Sequence, residues 1–373
     1  MLEATCYEAG ERRHALFMEF SSMSDENAFA EIFADRAEWG LLPALLPVVT
    51  TKNRKPQLFK NVQEWRRVSA ERGISLVQAA IEYEKDFSGW TDQRVRNYFE
   101  SINDILFNQI HSLETVGYDR AKDTPNLLIY GRAWNRHLQS GRVLENPIIR
   151  HIITHAMSAN AKLPGTKIVP GPMGTGGYLY SAIDAVREAH GFRYEKVIES
   201  LIAAAGLGAI AFTGAQASGN SGYIGESGIC CAMDSGGIVW MAGGDGWQVE
   251  NAASMALQAS LEIPCDPILC GKEFPCITCT IRAAVTAPLY ADLALSGIDP
   301  LIPYHEVLLG IEKSWKNSSE SILHCGINAA PCAKRCQACF QSEQMSHKFI
   351  LPFANIGSFN FTHFQLSEVR EYL

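Results

Sequence analysis

Twelve apolar or small residues in unbroken order, Leu201 to Phe212, constrain this chain more than any other feature. A bilayer span takes about 20 such residues, so the run is too short to cross a membrane and reads as a helix buried in a protein core. Gly206 and Gly208 within it weaken the helix slightly but let other groups approach its backbone closely. A core able to bury it is available: hydrophobic residues make up 47% of the 373 and charged residues 19%, an ordinary globular balance. That length suits one large domain with an appendage, or two domains of ordinary size.

Most of the remaining pattern is helical. Ser75 and Gln78 stand in capping-box spacing ahead of an apolar face at Val77, Ala80 and Ile81, which predicts a helix from Ser75. Gly89 interrupts, and Thr91 is placed to cap the next helix. Val95, Tyr98, Phe99, Ile102, Ile105, Leu106, Ile110 and Leu113 then keep helical spacing, which from the Thr91 cap gives about 23 residues, or roughly 34 Å. Residues 1–60 carry no chemical motif and read as an irregular or loosely helical segment. Residues 120–145 are polar, contain Asp123-Thr124-Pro125 and Gly141, and read as a connection. Beyond them helices are predicted over 146–160, 179–190, 195–210, 247–261 and 277–296, separated by glycine-rich turns. No strong strand alternation and no internal repeat is visible, so the expected fold class is mainly α.

The formal net charge is -8. Arginines and lysines are scattered rather than gathered into a stripe, which argues against a nucleic-acid partner. Met1 is followed by Leu2, Glu3 and Ala4, which is not the opening of a secretory signal. A cytoplasmic protein with no membrane association is expected.

Two glycine-rich turns stand out. Pro170-Gly171-Pro172-Met173-Gly174-Thr175-Gly176-Gly177 precedes a predicted helix, so the N–H groups of Gly174, Thr175 and Gly176 are placed to hold an anion such as a substrate carboxylate. The turn lacks the Lys-Ser/Thr of a P-loop and the strand and spacing of a dinucleotide fingerprint. A tight turn with a purely structural purpose reads equally well. The second turn runs from Gly219 to Gly228.

Eleven cysteines are many for such a chain, and ten lie after position 229. A disulfide framework would spread them through a small, loop-rich secreted protein. Clustering in a reducing compartment points instead to a metal or a reaction. The first cluster is Cys265-Asp266-Pro267, Cys270 and Pro275-Cys276-Ile277-Thr278-Cys279. Pro275 suits a chain about to enter a helix, which puts Cys276 and Cys279 on one face of its first turn. The positive helix end favours thiolates, the form that binds metal. With Cys265 from the preceding loop, three cysteines would leave one iron of a [4Fe–4S] cluster open to substrate. Buried reduced cysteines packed as small hydrophobes are the competing reading. The second cluster, Cys325, Cys332, Cys336 and Cys339, places four cysteines within fifteen residues. Its last three have radical-SAM spacing, but Gln337 stands where such sites carry an aromatic. A second iron–sulfur cluster, zinc, or further ligands to the first cluster stay open at Cys332, Cys336 and Cys339, with His324 and His347 nearby.

From roughly Ser75 to Leu295, and most closely over 205–290, the chain resembles the alpha-type catalytic domain of iron–sulfur-dependent L-serine dehydratases. Gly222-Tyr223-Ile224-Gly225-Glu226-Ser227-Gly228-Ile229-Cys230-Cys231-Ala232-Met233 resembles the family's G-C-x-G-E-x-G-x-A-C-S-M. Gln248-Val249-Glu250-Asn251-Ala252-Ala253 resembles the helix that follows. Cys265-Asp266-Pro267 and Pro275-Cys276-Ile277 resemble its C-D-P and P-C-I elements at the same separation. Lys167-Ile168-Val169-Pro170-Gly171-Pro172 resembles the approach to its A-P-T-x-G-A-x-G turn.

The resemblance implies a helical catalytic domain of the serine dehydratase alpha type with an N-terminal helical extension. The expected division is an extension over 1–60, the domain with the cysteine sites over 61–340, and a tail over 341–373. It also implies an oxygen-sensitive [4Fe–4S] cluster whose open iron grips the β-hydroxyl and carboxylate of a small amino acid, serine by default. A base takes the α-proton, hydroxide leaves, and the enamine hydrolyses to a keto acid and ammonia. Three departures shape the expected site. Tyr223 stands at the family's first cluster cysteine, Cys279 stands at the arginine of its P-C-I-E-R element, and the beta-type domain with its Ser-Ser-His-Thr loop has no counterpart here. The expected cluster ligands are therefore Cys265, Cys276 and Cys279, with Cys230 or Cys231 in reserve. Tyr223, Glu226 and Asp266 are the acid–base candidates, and Arg282, one turn after Cys279, is the replacement for the lost arginine. An open iron binds sulfur as readily as oxygen, so cysteine desulfidation or sulfur transfer is an alternative activity. A non-catalytic, metal-stabilised subunit of a two-chain complex is another. A beta-type partner chain or a homo-oligomer is expected.

Overall fold

The helices begin where short polar side chains can satisfy their first N–H groups. A computed structural model describes residues 3–8, 14–19, 57–112, 128–144, 146–161, 175–214, 224–261 and 276–317. Asn61 accepts from the Glu64 N–H to start α1 (Val62–Arg72), and Gly73 ends it in the left-handed region. Ser75 accepts from the Gln78 N–H at 3.0 Å to open α2 (Leu76–Ser88). The Gln78 side chain makes no reciprocal bond to Ser75; it turns to Asp92 and Arg96. Thr91 caps α3 (Asp92–Ile110), as its placement predicts. Then follow α4 (Leu128–Gln139), α5 (Pro147–Ala161), α6 (Gly176–His190) and α7 (Tyr194–Gly214). A π turn (Ile224–Gly228) leads directly into α8 (Ile229–Met241). Asp245 and Gln248 form a complete capping box at the start of α9 (Gly246–Gln258). The last two described helices are α10 (Cys276–Leu295) and α11 (Tyr304–Asn317).

Helix α8 is the hub. It packs against α6, α7, α9 and α10, and every residue in it except Trp240 is buried. Helix α7 is the buried helix expected from the apolar run: residues 201–211 are all buried. Its Gly206 is where Trp65 of α1 lies; a Cβ there would come within 2.3 Å of the indole ring. Trp65 is itself pinned, stacked on Phe59 at 5.1 Å and donating from Nε1 to the Leu76 carbonyl at 2.9 Å. No described helix is long and apolar enough to cross a membrane.

Three local expectations are corrected. The polar stretch 120–145 contains α4, because Trp134 reaches across to α5 and donates to Thr154 Oγ1 at 2.9 Å. That tertiary anchor leaves no trace in local composition. Helix α6 begins at Gly176 rather than 179. Its two leading glycines are tolerated because the helix presses so closely on α3 and α5 that a Cβ at Gly177 would lie 2.8 Å from both Gln109 and Ala159. The helical extension expected over 1–60 instead holds an antiparallel hairpin, β1 (Glu3–Glu8) with β2 (His14–Glu19). It pairs Ala4 with Met18, Thr5 with Phe17, Cys6 with Leu16 and Tyr7 with Ala15, and in sequence Ala15-Leu16-Phe17-Met18 runs apolar at adjacent positions. No polar–apolar alternation therefore marked the strands. The tail expected over 341–373 lies outside the described residues.

Candidate active site

Helices α6, α8 and α10 pack on one another in pairs, and the chemistry-bearing residues gather where their side chains meet. Thr175 is the buried N-cap of α6. Its carbonyl accepts the first helical bonds, from Tyr178 at 2.9 Å and Leu179 at 3.1 Å. The Cys230 thiol at the start of α8 donates to the same oxygen, with Sγ 3.9 Å away. Gly176 is buried beside it. Gly174 lies outside the described residues.

Cys231 points the other way, to α10. Its Sγ is 3.6 Å from Thr286 Oγ1. The Thr286 hydroxyl also reaches the carbonyls of Arg282 and Ala283, at 2.9 and 3.1 Å, and across the Cys231 contact either the thiol or the hydroxyl can donate. Both cysteines are 1% exposed. Burial pushes the Cys231 thiol up to about 12, with Thr286 and Arg282 opposing the rise. The Cys230 thiol is also driven well up, first by burial and then by the Asp234 carboxyl. Both are neutral thiols at physiological pH unless a metal displaces the proton.

Asp234, one turn further along α8, is fully buried. Neither of its oxygens has a hydrogen-bond partner among the described residues, and burial drives its pKa far above the carboxylate range. The sign of its effect on stability follows. An unfolded aspartate ionises near 3.9, whereas the folded group stays protonated to much higher pH. Its contribution is fully present below about 3.9 and is lost as pH rises towards the folded pKa, by up to about 1.4 kcal/mol per pH unit. Asp234→Asn, neutral throughout, should lose that slope. Denaturation at pH 5 and pH 8 should show the variant gaining on the wild type as pH rises; an unchanged difference would mean that Asp234 is ionised in the fold.

Helix α10 begins at Cys276, as Pro275 predicts, so Cys276 and Cys279 belong to its first turn. Cys279 is half-buried; burial raises its thiol and the Arg282 charge opposes the rise. Arg282 is half-buried too, and its Nε has no hydrogen-bond partner among the described residues. Glu226 sits half-buried in the π turn, whose other residues are buried. That turn packs against α8, α9 and α10. Such single π turns recur at functional sites.

Of the residues singled out in the sequence, Thr175, Gly176, Glu226, Cys279 and Arg282 thus lie on elements that pack together. Tyr223, Cys265, Asp266, Cys332, Cys336 and Cys339 lie outside the described residues. Sequence reasoning missed Asp234 and Thr286. Asp234 had a signal: it is the one charged residue in the run Ile229–Met241. Thr286 had none, since only the packing of α10 on α8 pairs it with Cys231.

Residues 71–324 match the family model described as serine dehydratase alpha chain. The L-serine dehydratase alpha chain of Peptoniphilus asaccharolyticus is 26% identical over 288 residues, covering 74% of this chain and 95% of that one. A probable L-serine dehydratase alpha chain of Bacillus subtilis is 27% identical over 262 residues, covering 67% of this chain and 84% of the relative. The L-serine dehydratase of Streptomyces coelicolor is 28% identical over 250 residues, which is 64% of this chain but 53% of that longer protein. Most of the helical region just described, from the end of α1 through α11, falls within the family match: the chain belongs to the serine dehydratase alpha chain family.

Proposed function

We propose that this chain is the alpha-type component of an L-serine dehydratase, a lyase that takes a small β-hydroxy amino acid to a keto acid and ammonia. The observation that carries the reading is Arg282 on α10, whose charge acts on Cys231 of α8 and on Cys279 of its own helix. It is a half-buried guanidinium with an uncommitted Nε among the described residues, one turn from Cys279 at the start of a helix that begins on Cys276. A [4Fe–4S] cluster suits this donor set, because the positive end of α10 and the Arg282 charge both favour thiolates. Cys265, Cys276 and Cys279 would hold it, and when bound it supplies a Lewis acid for the departing hydroxyl.

The chain's own residues supply the rest. Arg282 and the N–H groups at Gly174, Thr175 and Gly176 bind the substrate carboxylate. Glu226, half-buried and close to α10, is the base for the α-proton, with Tyr223 and Asp266 as the acid–base partners that serve the leaving hydroxyl. Loss of water gives an enamine, which tautomerises to an imine; water hydrolyses the imine to pyruvate and ammonia. The names of the alpha-chain relatives support a separate beta-type partner chain.

The test is anaerobic reconstitution with iron and sulfide, followed by incubation with L-serine or L-cysteine, with and without a beta-type chain. Ammonia and pyruvate from serine are expected in equal amounts. Faster release of sulfide from cysteine would assign the site to desulfidation, a reading that Cys279 in place of the family arginine favours. A colourless protein inert to both substrates, with and without the beta-type chain, would leave the chain a non-catalytic subunit.

A further inference from the structure

Away from the α8 hub, α3, α5 and α6 bring three histidines and a buried carboxylate together. His111 is the C-cap of α3. His151 and His155 are one turn apart on α5, and Asp184 and Glu188 are one turn apart on α6. We propose that His111, His155 and Asp184 form a binding site for one divalent transition-metal ion of borderline softness, zinc foremost, with His151 holding Asp184 in place.

Two triads of ligand atoms share Asp184. One ligand atom each from His111, His155 and Asp184 lie within 4.8 Å of one another, and so do those of His151, Asp184 and Glu188. Asp184 Oδ2 is 3.1 Å from His151 Nε2 and 3.6 Å from His155 Nδ1. Ligand atoms at the usual zinc distances of about 2.0–2.1 Å sit roughly 3.3–3.4 Å from one another in a tetrahedron, and His111, His155 and Asp184 leave its fourth corner to water. The imidazoles are in mutual contact, with ring centroids 4.3 Å apart for His111–His155 and 3.9 Å for His151–His155. Asp184 and His155 are buried. A hydrogen-bonded carboxylate needs one histidine; three gathered at one buried carboxylate are the donor set of a borderline metal.

The surrounding contacts have the form that holds metal ligands in place. His151 Nδ1 is 3.1 Å from Glu188 Oε2, so the far nitrogen is anchored by a carboxylate while Nε2 faces Asp184. Arg187 Nε donates to Asp184 Oδ1 at 2.8 Å, leaving Oδ2 to turn inward. Asp184 lies eight residues beyond Gly176 on the same helix, about 12 Å along it. The ion would therefore clamp α3 and α5 to the helix whose N-terminus borders the candidate active site without being part of that site.

The test uses the full chain after anaerobic iron–sulfur reconstitution, with Zn2+ as the probe. The readouts are zinc retained after desalting, the zinc X-ray absorption fine structure, and the thermal midpoint with and without zinc. We expect one zinc per chain with a nitrogen/oxygen shell at about 2.0–2.1 Å and no sulfur at about 2.3 Å. Zinc should raise the melting temperature of the wild type, and His155→Ala and Asp184→Asn should bind it at least about tenfold more weakly. Glu188→Gln, at an exposed position that leaves the fold untouched, should weaken binding through His151 alone. It keeps the test valid if the buried variants fail to fold. Zinc bound wholly by sulfur, or affinity unchanged in Glu188→Gln and in whichever buried variant folds, would overturn the proposal. Because the readout is metal retention, failure here leaves the dehydratase reading untouched.

Discussion

Trp65→Ala is expected to destabilise the protein by about 3–5 kcal/mol, the range for emptying a fully buried Trp site. Trp65 has no exposed surface, and its removal also strips the Leu76 carbonyl of its donor, a further loss of about 1 kcal/mol. Against a total stability of roughly 5–15 kcal/mol, that is a large fraction. The complementary change is Gly206→Ala. Alanine normally stabilises a helix by about 1 kcal/mol over glycine, but here its Cβ would lie 2.3 Å from Trp65 Cη2 and 2.7 Å from Cζ2. The ring is stacked on Phe59 and hydrogen-bonded, so it cannot retreat, and overpacking should cost about 1–3 kcal/mol instead. The two sites should be coupled. In a Trp65→Leu background, Gly206→Ala should become neutral or stabilising. Thermal and urea melts of the two singles and the double test this, and strict additivity would place the Trp65 contact elsewhere.

Arg282→Gln should lower kcat/KM for serine by about 10²–10³-fold, the scale of a partly desolvated charge-assisted contact of roughly 2–5 kcal/mol. Its Nε is uncommitted among the described residues. The loss should fall mainly on KM, with kcat little changed, because the carboxylate is bound alike in ground and transition states. Iron content should stay at the wild-type level. Arg282→Lys should not rescue fully, since an ammonium lacks the planar fork that matches a carboxylate. Activity within about threefold of wild type, or loss of iron with the guanidinium, would remove Arg282 from substrate binding.

Where a helix is controlled by local chemistry, the sequence was sufficient. Ser75, Thr91 and Gly89 bound α2 and α3, Pro275 announces α10, and the run from Leu201 can only be a buried helix. Where long-range contacts decide, it was not. The Trp134–Thr154 bond that secures α4 links residues 20 apart, and the hairpin hides because apolar residues follow one another along Ala15-Leu16-Phe17-Met18. The site shows the same division. Cys276, Cys279 and Arg282 were visible as one helix turn and the next, since their spacing along one helix sets their geometry. The Cys230–Thr175 and Cys231–Thr286 contacts each span 55 residues. Asp184 meets His151 across 33 positions. Such meetings follow from packing, and no local pattern encodes them.

A cysteine site at the start of α10 that serves serine chemistry ties iron content to turnover. Measuring iron content and serine turnover on the same reconstituted samples of wild type, Cys276→Ser and Cys336→Ser tests both halves together. Cys276→Ser should lose iron and ammonia production in parallel, while Cys336→Ser keeps both. Iron and turnover that survive in Cys276→Ser, or disappear in Cys336→Ser alone, would contradict the account.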